Sequence, residues 1–161
     1  MKDELIIRKI VRSDNPHLSK IVRDTLTEFD CNKPGTAFAD PETDFLFEQY
    51  ADNKTAYFVA EVNHKIVGGS GIGKLKGFDS ICELQKMYLI PEARNKGIAR
   101  KLMDLCIDFA IENKFERIYL ESMPQLKDAI KLYVKYGFHR IEKPLSQTGH
   151  FTCDVWMIKQ L

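Results

Sequence analysis

Between Thr55 and Ile90 the chain carries three strand-length apolar segments with nothing of helical period between them, while the segments on either side repeat at helical spacing. That ordering restricts the fold more than any other feature of the sequence. Tyr57–Val62 and Lys65-Ile66-Val67 flank the polar pair Asn63-His64, a hairpin signature. Gly68 to Leu75 continues the second strand, and Ile81 to Ile90 forms a third that Pro91 ends. Upstream, Leu5–Val11 reads as a strand, and Ser13-Asp14-Asn15-Pro16 supplies an N-cap and a proline for a helix with Leu18, Ile21, Val22, Leu26 and Phe29 on one stripe. A second short helix is expected from Asp40-Pro41-Glu42 to about Tyr50.

Downstream, Ile98, Leu102, Leu105 and Phe109 mark a helix expected from about Arg94 to Asn113. A buried strand at Arg117–Glu121 follows. The next helix is expected to open with the capping box Ser122-x-x-Gln125 and to end at Gly137. Two strands, around Phe138–Ile141 and Phe151–Gln160, close the chain. The fold class is therefore α/β, a mixed sheet with helices packed on it, in a single domain over residues 1–161. A chain of 161 residues buries roughly two-thirds of the surface its unfolded form exposes, so one core suffices.

The formal charge of +1, from 24 basic and 23 acidic side chains, argues against a dedicated nucleic-acid binder. No apolar run approaches the roughly 20 residues of a membrane span, and the N-terminus lacks the apolar stretch of a signal peptide. A cytoplasmic protein is expected. Cys31, Cys82, Cys106 and Cys153 never approach C-x-x-C spacing, and His17, His64, His139 and His150 are equally scattered, so no metal site is expected.

Two glycine-rich stretches compete as ligand loops. Gly68 to Lys74 satisfies G-x-x-x-x-G-K, but Leu75 follows where a phosphate loop needs Ser or Thr, and strand rather than helix continues; the stretch reads as a closely packed strand. Met87-Tyr88-Leu89 instead leads through Pro91 and Arg94-Asn95-Lys96-Gly97-Ile98-Ala99 into an amphipathic helix. There the N–H groups of Asn95 to Ala99 would emerge from a helix N-terminus, with Arg94, Lys96, Arg100 and Lys101 adding positive charge for a polyanion. An ordinary strand-to-helix connection explains the same stretch taken alone.

Arg94-x-x-Gly97-x-Ala99 resembles the [Q/R]-x-x-G-x-[G/A] signature of the GNAT superfamily of acyl-CoA-dependent N-acyltransferases. Glu83 to Leu89 resembles that family's fourth strand, and Ala129-x-x-Leu132-Tyr133-x-x-x-Gly137-Phe138 its later helix. The clear match runs from about Ala56 to Phe138. Asn95 stands where a second glycine is common, and Leu126, beside Gln125, stands where the family often carries asparagine.

The resemblance implies a GNAT fold of about seven strands and four helices, acetyl-CoA as cosubstrate without a metal, and attack of an amine on the thioester in a ternary complex. It assigns cofactor binding to Met87, Tyr88, Leu89, Arg94, Asn95, Lys96, Gly97, Ile98, Ala99 and Arg100. Tyr133 falls where the family carries the acid beside the CoA sulfur, and Glu83 where some relatives place the general base. Lys86 and Glu121 read as surface or gating charges. The acceptor walls implied are the first two helices, with Phe29, Phe38 and Phe45, and the stretch Ser146–His150; Asp40, Glu42 and Asp44 read first as an acidic helix turn. The acceptor is left open among small-molecule amines and peptides. A silent acyl-CoA-binding module is the rival function, and a homodimer through a C-terminal edge strand is a further expectation.

Overall fold

The computed structural model describes residues 2–161. One seven-stranded sheet has the order β1-β2-β3-β4-β5-β7-β6. Its strands are β1 (Leu5–Lys9), β2 (Ala56–Val62), β3 (Lys65–Lys74), β4 (Ile81–Leu89), β5 (Arg117–Ser122), β6 (His139–Ile141) and β7 (Val155–Gln160). Four helices accompany it: α1 (Asn15–Glu28), α2 (Leu46–Gln49), α3 (Ile98–Glu112) and α4 (Lys127–Lys135). Among the described residues no helix is long and apolar enough to cross a membrane.

Alternation along β2 shows how the layers form. Ala56, Phe58 and Ala60 enter the main core with Leu102, Met103, Cys106 and Phe109 of α3, whereas Tyr57 and Val59 face Leu18 of α1 and Leu46 of α2. Both faces of the sheet are therefore covered, which explains why β2 and β3 read as continuous apolar or glycine runs. Gly71 shows why a strand can be glycine-rich: a Cβ there would stand 2.8 Å from the rings of both Tyr50 and Tyr57. The hairpin at Asn63-His64 forms as expected, both residues adopting positive φ.

Three expected boundaries shift. The helix expected from Asp40 divides into a 3₁₀ turn at Pro41–Asp44 and the short α2, with Phe45 at the break. Helix α3 begins at Ile98, because Pro91–Ala93 forms a 3₁₀ turn and Asn95 and Gly97 take left-handed backbone at φ 59° and 80°. Ser122 ends β5 instead of capping α4, which starts at Lys127 after a turn closed by the Leu126 N–H on Met123 O. Gly137 does terminate that helix, at φ 89° with the Phe138 N–H on Tyr133 O.

One topological feature positions the site. β3 accompanies β4 from Cys82 to Leu89, but β5 pairs with β4 only through Ile81, Cys82 and Glu83. β5 meanwhile pairs with β7 along its whole length. Beyond Glu83 the two central strands part, leaving a wedge in the middle of the sheet.

Candidate active site

A cleft of about 580 Å³ occupies this wedge, bounded by α3 and α4 and, from the α1 side, by Thr25 and Phe29. It is lined by Met87, Tyr88 and Leu89 of β4, Arg94, Asn95 and Gly97 of the connecting loop, Ala99 and Arg100 of α3, and Tyr133 of α4. The side chains of the other two expected cofactor residues lie elsewhere: Ile98 is buried in the core, and Lys96 reaches toward Asp3 at 3.8 Å. Their backbones remain part of the loop, whose N–H groups from Asn95 through Arg100 meet no acceptor among the described residues. A Cβ on Gly97 would meet nothing within 4 Å, so the space above the helix N-terminus is open. Free amides, an open approach and a helix dipole together fit a phosphate group.

The positive cluster expected here is weaker than its charges suggest. Arg94 donates to both oxygens of Glu28 at 2.7 Å and to Leu89 O at 3.0 Å, and its guanidinium lies 5.4 Å from the Phe29 ring centroid. This residue braces α1 against the end of β4. Arg100 lines the cleft and makes no ion pair among the described residues.

Tyr133 is buried on the α4 face, its ring 5.9 Å from that of Phe138. Burial raises its pKa, so the phenol stays neutral and able to donate. Glu83 occupies the opposite face, since Cys82 and Leu84 on either side point into the α3 core. The two cavities that Tyr133 and Glu83 line share the walls of the wedge, Gln85, Lys86 and Tyr88 of β4 and Glu121 and Ser122 of β5.

Glu83 is 4% exposed, not a solvated strand carboxylate. Its Oε2 accepts from Gln85 Nε2 at 3.1 Å, and Gln85 Oε1 accepts from Tyr50 Oη at 2.7 Å. Its other oxygen meets no donor among the described residues. Burial, with a smaller push from Glu121, raises the Glu83 pKa to about 7 despite the Gln85 hydrogen bond. A carboxylate oriented on one oxygen, free on the other and tuned to neutral pH can take a proton from an ammonium.

Glu83 borders a second pocket of about 40 Å³ with Lys86, Glu121, Met123, His150 and Cys153. Lys86, read as a surface or gating charge, is buried. Glu121, read the same way, is intermediate in exposure with its side chain covered, its carboxylate accepting from Tyr119 Oη at 2.8 Å and from Thr148 Oγ1. His150 Nε2 bonds Asp40 Oδ2 at 2.6 Å, and the imidazole pKa is raised, chiefly by that bond. Asp40 is therefore the partner of a pocket-lining histidine, not only the start of a helical turn. Asp44 is held by Ser19 and Arg23, Phe45 is exposed, and Phe29 lines the larger cleft, so these do not wall the smaller pocket. Phe38 packs in the cluster around Val22 and Leu26.

The fold also brings together residues that the sequence scatters. One ligand-type atom each from Glu83, Glu121 and His150 lie within 4.8 Å of one another. Gln85 and Tyr50 are not assigned to the site from sequence; His150 enters only as the end of the Ser146–His150 stretch expected to wall the acceptor, Glu121 as a surface or gating charge, and Asp40 first as part of an acidic helix turn. The β4 alternation, with Gln85 two residues from Glu83, was the one local signal for any of them.

The model of the Acetyltransferase (GNAT) family matches residues 21–138. The chain is 40% identical over 158 residues to the uncharacterized N-acetyltransferase YjgM of Escherichia coli K12, covering 97% of this chain and 95% of that protein. A GNAT-family acetyltransferase structure from Staphylococcus aureus Mu50 superposes with a TM-score of 0.88 at 23% identity, covering 98% of this chain and 99% of the other. The yncA structure of Salmonella typhimurium, a putative acetyltransferase with its cofactor acetyl-CoA, superposes at 0.75 and 20% identity over 98% and 94% of the two chains.

Proposed function

The chain belongs to the acetyltransferase (GNAT) family and is an acyltransferase, and from that premise we propose that it moves the acetyl group of acetyl-CoA to a primary amine by direct attack in a ternary complex. What supports this reading is that Tyr133 lines the larger cleft and Glu83 the smaller pocket, and that the two cavities share Gln85, Lys86, Tyr88, Glu121 and Ser122 in their walls. The free amides from Asn95 to Arg100 would hold the pyrophosphate, and the unpaired edge of β4 at Met87–Leu89 would hold the pantetheine arm and polarise the thioester carbonyl. Each such donor is typically worth about 3 kcal/mol in acyl transfer.

An alkylammonium has a pKa near 10 and does not attack until it loses a proton. The free oxygen of Glu83 takes that proton, directly or through one water. The amine nitrogen then bonds to the carbonyl carbon, and the carbon–sulfur bond breaks as the neutral Tyr133 phenol donates its proton to the departing thiolate. The second proton of the acylated nitrogen returns through water to the Tyr133 phenolate, and Glu83 releases its proton to solvent. No metal takes part in this sequence.

Calorimetric titration with acetyl-CoA, followed by CoA release with a panel of amines, tests the reading. Binding followed by amine-dependent CoA release is expected. Absence of binding overturns it, and binding without release with any amine identifies a silent acyl-CoA module.

A further inference from the structure

Lys86 is the least expected charge in the molecule. It lies on β4 at a φ of 49°, where the register against β3 slips between Gly69 and Gly71. Its side chain borders the smaller pocket and is 8% exposed. Buried ammonium groups are ordinarily paired with a carboxylate, and Nζ offers three donors. Here Nζ has one hydrogen-bond partner among the described residues, the neutral Gln49 Oε1 at 3.5 Å, and no carboxylate within 4.0 Å.

Asp40, Glu83 and Glu42 act on Lys86 through space, none of them in direct contact, and the Glu42 carboxylate itself makes no hydrogen bond among the described residues. Asp40 is bonded to His150, Glu121 to Tyr119 and Thr148, and Glu83 to Gln85 on one oxygen. Other buried or half-buried charges in this region have found partners; Lys86 has not. The pocket therefore presents two groups without a direct partner: a carboxylate oxygen on Glu83 that lacks a donor, and a Lys86 Nζ that no carboxylate contacts although Asp40, Glu83 and Glu42 lie near enough to act on it. A plain alkylamine answers the first and leaves the second as it is.

We propose that the acceptor is a zwitterion, a primary amine bearing a carboxylate, with its nitrogen at Glu83 and its carboxylate at Lys86. Of the acceptors open to an N-acetyltransferase, this selects free amino acids over polyamines and over peptide N-termini, whose nearest carboxyl group is tied up as an amide. The pocket volume of about 40 Å³ suits the few non-hydrogen atoms of an amino-carboxylate head. The inference rests on the acyl-transfer reading of the same site.

The test compares matched acceptors with the intact protein and acetyl-CoA: each of the common amino acids beside its decarboxylated amine and its carboxamide. At least one amino acid should be acetylated with kcat/KM tenfold or more above both of its carboxylate-free analogues. Lys86→Met should bring that ratio close to one, and Lys86→Arg should restore part of it. Equal or better use of the carboxylate-free analogues, or acetylation of no amino acid by a protein that binds acetyl-CoA, overturns the zwitterion assignment alone. Failure to bind acetyl-CoA in calorimetry removes the acyl-transfer reading and this inference with it. The wild-type comparison decides the matter even where a Lys86 variant does not fold.

Discussion

Glu83 faces opposed requirements. Its raised pKa suits it to take a proton near pH 7, and the same shift makes its ionised form a liability to the fold. Because the folded-state value of about 7 exceeds the ordinary 4.5, stability is complete below the ordinary value and is lost as pH rises through 7. The loss is on the order of 3 kcal/mol. Glu83→Gln should therefore melt higher than the parent at pH 8, with the gain vanishing toward pH 4, and should lower kcat by about 100-fold while removing the limb near pH 7 from the rate profile. Melting curves across pH and a pH–rate series check both; an unchanged profile would take Glu83 out of the proton transfer. Tyr133→Phe should cut kcat by about 100-fold with little change in the KM for acetyl-CoA, as steady-state kinetics would show. Both residues were legible because each sits in a family-like motif. Their environments were not: the Gln85 amide that orients Glu83 sits two residues along the strand, but the Tyr50 hydroxyl behind it acts across 35 residues.

At the scale of elements, the loop from Arg94 to Gly97 and the glycine strand β3 do opposite work with the same residue type. Gly97 is left-handed with open space above it, so Gly97→Ala should cost about 1 kcal/mol of stability and raise the KM for acetyl-CoA, leaving kcat closer to the parent. Gly71 is wedged between two tyrosine rings, and Gly71→Ala should destabilise by about 1–3 kcal/mol through overpacking, measurable by denaturant titration. Strand positions, the hairpin and the Gly137 stop were readable because they depend on local periodicity and turn chemistry. The start of α3 was misplaced by about four residues because the loop's two left-handed residues leave no mark in apolar spacing. The pair formed by Asp40 and His150 was beyond reach, since 110 residues separate its members and only the completed fold brings the two loops together. Asp40→Asn should loosen that pairing and raise the KM for the acceptor more than it lowers kcat.

Taken as a whole, the molecule is two half-sheets, β1 to β4 and β5 to β7, joined by a ladder of three residue pairs. The core on the α3 side continues across the join through Ile118, Leu120, Tyr133, Phe138, Val155 and Met157, so packing rather than hydrogen bonding holds the halves together there. Charge balance was legible only as a sum: the near-neutral total conceals Arg94 braced by Glu28, Lys96 turned toward Asp3, and Lys86 with no carboxylate in contact. Mechanically, the short ladder is a seam, bridged on one face by the continuous core. A cosubstrate lying in the wedge would bond to one plate and pack on the other, acting as a removable stitch. Amides of Lys86 to Leu89 and of Leu120 to Ser122 should then exchange with deuterated water more slowly when acetyl-CoA is present, while β1 and β2 keep their rates. On this view the enzyme is stiffer across the seam while loaded, and returns to ladder and core alone each time CoA leaves.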